Sequence, residues 1–405
     1  MSSLSEVTLE LKPAQRFDVI DVNQRAEAQA GAGFFKKHRK TLYCSYHTTA
    51  GYLEQRVAER LSPRPGQVRG FLKPYQRLFP PDADYFHDRL EHRDELSDEQ
   101  RQTEPRNADS HLTFIGSGLE SCVTYRNHAP GAPAYFIDLD GVNTNGPGGR
   151  ERRRRRTTLI GFDQATRVAQ VELEVPVSGH PIDSVNLKDP SLGLYEQVED
   201  LIAHYGIKKG RLDLTLAEGE KHASLTVNED ETLLMTHDLR DVLGDPLHFM
   251  ARKGWNLGRL LFRNPGALRP TAKRYAKYDL VQVVNKALDK TGLDGSLAER
   301  VIGRFVTGPV ERRLRMKRAM SLFISDDEPT NGALPGGTAN HAGEECGGAG
   351  VREYGRENGH AENAPSPGRR YGRIVQGRFQ SPILVQWRPS DTDTRRIVAT
   401  LSRFE

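Results

Sequence analysis

A chain of 405 residues exceeds one ordinary compact domain, so two domains or one with large insertions are expected. With 36% hydrophobic and 28% charged residues it can build globular cores, and no apolar run approaches the roughly 18 residues needed to span a bilayer. The net charge of +4 conceals a strong segregation along the chain.

Met1 to Pro13 lacks both a basic segment and an apolar core, so no signal peptide is expected. Instead VTLELKP (Val7 to Pro13) alternates as a strand. Then come YCSYHTTAGYLEQR (Tyr43 to Arg56), PPDADYFHDRLEH (Pro80 to His92) and RNADSHLTFIGSG (Arg106 to Gly118). Each carries a histidine beside hydroxyl, Asp or Asn groups: His47, His87 and His111. Three histidines from separate segments can complete a zinc site with an open position, or they can be ordinary half-buried or surface residues. GVNTNGPGGRERRRRR (Gly141 to Arg156) is a backbone-rich turn followed by positive charge, suited to phosphate or pyrophosphate or else a solvated hairpin loop. No GxxxxGK[ST] string occurs, so no nucleotide cofactor is expected. The cysteines Cys44, Cys122 and Cys346 are too widely spaced for a disulfide framework or a Cys-type zinc site, which points to a reducing, cytoplasmic setting.

RRRTTLIGF (Arg154 to Phe162) closes this part, and VELEVPV (Val171 to Val177) opens the next in the manner of Val7 to Pro13. Leu194 to His204 has helical spacing, and Arg211 to Leu216 and Ser224 to Val227 have strand patterning. In HASLTVNEDETLLMTHDL (His222 to Leu239), Asn228 and Glu229 end a strand and His237-Asp238 follow. An acid near a histidine can bind a divalent metal or act as a general base; the alternative is an acidic turn at a helix start.

From Met250 to Met320 there are 17 Lys and Arg against five Asp and Glu. Helical spacing is read at Pro270 to Thr291, then from Ser296 through Phe305, and a third short helix from Pro309 carrying Arg312, Arg313, Arg315, Lys317 and Arg318. Pro329 to Arg369 holds ten Gly and four Pro with almost no large apolar residue, the composition of a disordered linker. The last strand, RRIVATLSRF (Arg395 to Phe404), repeats Arg154 to Phe162. Similar openings and closings in the same order imply an internal duplication.

These strings resemble the YjbQ-type family, also called the secondary thiamine-phosphate synthase family. The resemblance rests on His47-Thr48-Thr49-Ala50, Tyr85-Phe86-His87-Asp88, Ser110-His111-Leu112 with Gly116 or Gly118 following, and Gly148-Gly149-Arg150 with Arg152. In the second half Ser224 to Glu229, His237-Asp238, Gly372-Arg373-Ile374 and Arg395-Arg396 fit. The first half has Gln55-Arg56 where the family has Asn-Glu, and the second has Glu220 in place of the first histidine and lacks the other two histidine segments.

The resemblance implies an α+β fold with two mixed-sheet domains in tandem: residues 1–165, and 166–245 with 370–405. A basic helical insertion (246–328) and a disordered linker (329–369) interrupt the second. It implies a metal-binding transferase of the thiamine-phosphate synthase type, with a small phosphorylated substrate and trimeric assembly. His47, Thr48, Thr49, His87, His111, Asn228 and Glu229 are the catalytic candidates. A divalent metal, Zn or Mg, would sit on His47, His87 and His111, and the phosphate on Gly148, Gly149, Arg150 and Arg152. The rival reading is a non-catalytic scaffold that binds nucleic acid through residues 250–320.

Overall fold

The computed structural model describes residues 4–229 with short omissions (among them 82–84, 93–97 and 144–150), 315–326 and 371–405. The readings for Pro270 to Thr291, Ser296 to Phe305, the Gly/Pro-rich 329–369 segment, His237-Asp238 and Gly148 to Arg150 lie outside the described residues.

The fold is α+β and has two halves. The first half contains β1 (Ser5–Leu11), β2 (Asp18–Asp21), α1 (Val22–Ala30), β3 (Lys40–Ser45), β4 (Ala50–Gly51), α2 (Gln55–Leu61), α3 (Pro65–Leu78), α4 (Ala108–Ser117), β5 (Cys122–Arg126), β6 (Tyr135–Asp138), β7 (Val142–Asn143), β8 (Glu151–Arg152) and β9 (Arg155–Phe162). The second contains β10 (Ala165–Pro176), β11 (Asp183–Asn186), α5 (Leu194–His204), β12 (Gly210–Leu216), β13 (Ala223–Asn228), β14 (Ala319–Ser325), β15 (Arg373–Val375), β16 (Ser381–Gln386) and β17 (Thr394–Phe404). Only Asp163 and Gln164 separate β9 from β10.

Strand order repeats between the halves. A four-stranded sheet β1-β9-β3-β5 has its counterpart in β10-β17-β12-β14, to which β15 is added. A three-stranded sheet β2-β6-β4 has its counterpart in β11-β16-β13. The similar sequence strings are hydrogen-bonded neighbours within each large sheet: Val7 pairs with Leu159, and Val171 with Ala399. Arg155 lies opposite Leu11 as Arg395 lies opposite Val175.

Period-two patterning explains the strands. Leu212, Leu214 and Leu216 point inward from β12, as do Val198 and Ile202 from one stripe of α5. Each fully buried aliphatic side chain of this kind contributes about 1.5–3 kcal/mol. The halves meet through apolar faces: Leu42, Cys44, Cys122, Ile160 and Phe162 pack on Phe323, Val375 and Phe404, with the Phe162 and Phe404 rings stacked at 4.1 Å.

One expectation is corrected. Arg315 to Arg318 is not helical and leads into β14, so Ala319–Ser325 pairs into the second half's large sheet and is not part of a helical insertion. Met320, Leu322 and Ile324 alternate into the core, and the Lys317 and Arg318 carbonyls accept hydrogen bonds from Leu225 and Leu216. Alternating burial outweighed the helical propensity of the basic side chains.

A loop at the half-to-half junction has no room for a side chain at Gly377, where a Cβ would collide with the Tyr46 carbonyl oxygen. Gly377→Ala is expected to lower unfolding free energy by about 1–3 kcal/mol through overpacking, read as a shifted urea midpoint with unchanged slope. An unchanged midpoint would mean that the junction yields freely.

Candidate functional site

The site forms where α4 of the first half meets the end of β13 of the second. All ten residues of α4 are buried, packed through Leu112 and Ile115 against Ile383 and Val385 of β16. Asp88 holds the helix start by accepting the Ala108 N–H at 3.0 Å. Gly118, at φ +72°, ends the helix in the left-handed conformation, and a Cβ there would collide with the Arg315 carbonyl oxygen. The histidine on α4 is therefore fixed at both ends of its helix.

His87, His111 and Glu229 present one ligand atom each, all within 4.8 Å of one another. His87 Nε2 lies 3.4 Å from Glu229 Oε2, and His111 Nε2 lies 3.5 Å from Glu229 Oε1. Both histidines are fully buried and Glu229 is half-buried.

A second layer orients them. His87 Nδ1 faces Asp88 Oδ1 at 3.1 Å, and His111 Nδ1 faces Asn228 Oδ1 at 2.7 Å. Asn228 Oδ1 also accepts the Glu229 backbone N–H at 2.8 Å, so that atom is an acceptor and His111 Nδ1 carries the hydrogen. His111 Nε2 is then a bare lone pair, buried, without a hydrogen-bond partner and facing a carboxylate. The Thr48 hydroxyl donates to Glu229 Oε1 at 3.2 Å.

The electrostatics differ between the two rings. Burial, with the neighbouring His87 adding to it, holds His111 below its ordinary value, which keeps it neutral. Burial alone would lower His87 too, but the carboxylates of Asp88 and Glu229 overturn this and raise it to about 10. His87 therefore carries a proton at neutral pH that a metal must displace. With that proton gone, two imidazoles and a carboxylate around one gap, with partners on the outer ring nitrogens, make a donor set for a divalent cation. The unpartnered Nε2 of His111 fits such an occupant.

His47 does not join this group. Its Nε2 accepts the backbone N–H of Arg156 at 2.8 Å, and the ligand atoms that converge are those of His87, His111 and Glu229 rather than those of the three histidines. Thr49 is buried and receives Arg155 Nη2 at 3.4 Å. Arg155 makes a two-point pair with Asp138 (Nε–Oδ2 2.7 Å, Nη2–Oδ1 3.0 Å) and donates to the Asp140 carbonyl at 2.7 Å. Arg152 is exposed on β8.

Sequence reasoning had not assigned Asp88, Arg155, Asp138, Asp140 or Gln380 to the site. Asp88 was legible as the neighbour of His87. Gln380 had no signal: its amide reaches across from the second half to the carbonyls of Ser45 and His47, both at 3.0 Å.

The corresponding place in the second half is closed. Glu220 Oε1 accepts the Arg396 N–H at 3.1 Å, as His47 accepts that of Arg156, and Glu220 Oε2 pairs with Arg395 at 3.1 Å. Gln55, standing where Asn228 stands in the other half, turns to Glu59 and the Arg126 carbonyl.

No protein-family model and no curated protein matches the sequence. Among solved structures the chain is similar to a YbjQ-like protein of unknown function from Sulfolobus solfataricus, at 14% identity and a TM-score of 0.26 over 40% of this chain and 99% of that one. It is also similar to an uncharacterized conserved protein of the YjbQ family from Clostridium acetobutylicum (18% identity, TM-score 0.23, 38% of this chain and 97% of that one). A conserved hypothetical protein from Thermus thermophilus matches at 15% identity and a TM-score of 0.22 over 56% of this chain and 97% of that one.

Proposed function

We propose that this chain is a duplicated YjbQ-like, metal-dependent enzyme with one site shared by its two halves, acting on a small molecule that carries phosphate or pyrophosphate. The observation that carries this reading is His111 Nε2, a buried bare lone pair aimed at the Glu229 carboxylate. Such a contact is unfavourable until a proton or a metal cation comes between the two groups. His87, His111 and Glu229 would hold a divalent ion, zinc or magnesium, with Asp88 and Asn228 orienting the histidines. Histidine ligands favour zinc, whereas an oxygen-rich substrate favours magnesium. When bound, the ion would supply charge stabilisation to a leaving phosphate or pyrophosphate.

Transferase activity of the thiamine-phosphate synthase type is the reaction that the sequence resemblance implies. It is tested by supplying a hydroxymethylpyrimidine pyrophosphate and a thiazole phosphate and following pyrophosphate release. The purified protein is expected to contain about one divalent ion per chain by elemental mass spectrometry. Chelation is expected to lower both turnover and melting temperature, by about 2.7 kcal/mol of stability if the free ion stands at 100 times its Kd. A metal-free protein whose melting is indifferent to added zinc, magnesium and manganese would overturn the reading. Residues 246–314, on which the nucleic-acid reading mainly rests, lie outside the described residues.

A further inference from the structure

The donors left over around the site specify the other half of its ligand. Because the Arg156 N–H donates to His47 Nε2 at 2.8 Å, that nitrogen must be the lone-pair nitrogen. The single ring hydrogen of the neutral imidazole then sits on Nδ1, which no described residue engages. Burial, joined by the positive field of Arg155, Arg153 and Arg156, keeps the ring from taking a second proton. His47 is therefore neither a metal ligand through Nε2 nor a general base, but a standing N–H donor.

Two further donors lack an acceptor. Asn228 Nδ2 is fully buried without a hydrogen-bond partner, while Oδ1 of the same amide is committed to His111 and Glu229. Arg153 Nε is likewise without an acceptor; its Nη2 lies 2.9 Å from Asp140 Oδ2 but outside hydrogen-bond geometry. These groups are joined through short links. Thr48, next to His47, bonds Glu229, next to Asn228. Asp140 meets Arg153 by its carboxylate and Arg155 by its carbonyl.

Three donors without acceptors are satisfied by a ligand that offers only acceptors. Resting on the metal reading above, we infer that His47 Nδ1–H, Asn228 Nδ2 and Arg153 Nε form the oxyanion-binding pole of the site, taking the phosphate oxygens of the substrate. The ligand class is a phosphoryl or pyrophosphoryl group, and His47 is a substrate-binding donor.

The test titrates full-length protein with inorganic phosphate and inorganic pyrophosphate by calorimetry, with and without manganese. It compares His47→Gln and His47→Asn. A Gln amide oxygen can still accept the Arg156 N–H but places no donor where Nδ1 stands; an Asn amide nitrogen replaces that donor. Expected are unchanged metal content in both variants and at least about tenfold weaker anion binding in H47Q, the loss of one hydrogen bond to a charged group. Binding by H47N should stay within about threefold of the parent.

Arg153→Gln is expected to weaken the anion similarly, which keeps the test open should a His47 variant fail to fold. Parent-like anion affinity in both H47Q and R153Q would overturn the assignment, as would a parent protein that binds neither anion. Should the protein take up no metal, the metal reading fails alone, and the metal-free titration with the same variants still decides the donor assignment.

Discussion

Replacing Glu229 with Ala is expected to empty the metal site while both histidines stay in place. Glu229 comes from the second half and is the one carboxylate of the triad that faces both Nε2 atoms, at 3.4 and 3.5 Å. Even residues behind a metal ligand cost about 10–100-fold in affinity when removed, so loss of this ligand should exceed about 100-fold. Asn228→Ala should fall within that smaller range, because it frees the His111 ring without removing a ligand. His47→Ala should retain the metal, since its Nε2 is turned to the Arg156 backbone. The measurement is metal per chain after dialysis, with circular dichroism to establish folding. Retention in E229A together with loss in H47A would return the ligand set to the three histidines and remove the second half from the site.

Arg155→Met should be among the most destabilising single changes in the first half. Arg155 is almost wholly buried and forms a two-point pair with the fully buried Asp138, besides serving the Asp140 carbonyl and Thr49. Burial already pushes the Asp138 carboxyl upward against the pull of Arg155, so removing the guanidinium leaves the Asp140 backbone N–H to support its charge. Breaking a buried pair of this kind costs about 3–5 kcal/mol. Urea unfolding of R155M, and of R155M combined with Asp138→Leu, checks this. The double variant should recover much of the loss, and equal stabilities for the parent and R155M would refute it.

Much of the architecture was readable from local pattern. Val7 to Pro13 and Val171 to Val177 alternate with period two, and their closing partners share an Arg-Arg pair; in the structure these become the paired strands β1-β9 and β10-β17. The end of β13 at Asn228 was likewise legible. β14 was not, because the five basic residues between Arg312 and Arg318 drew the eye to helical spacing. Its alternation begins only at Met320.

At the site, histidine-bearing segments announce themselves by residue type, and the complementary losses in the two halves fit a shared centre and a decayed second half equally well. Which histidine binds was hidden, since the tautomer of His47 depends on a backbone N–H 109 positions away. Gln380 was hidden for the same reason: a single amide in a loop has no periodicity, and its partners lie more than 330 positions earlier.

The two-residue passage from β9 to β10 has a consequence for how the site behaves on dilution. A ligand set divided between separate chains disperses when the protein concentration falls below the dissociation constant of the assembly. Here the first half carries both histidines and the second carries the carboxylate on the same polypeptide, so each sees the other at an effective concentration on the order of millimolar or above. Occupancy of the proposed metal site would then follow the free metal concentration and not the protein concentration. The tether thus converts a second-order assembly into a first-order property of each molecule.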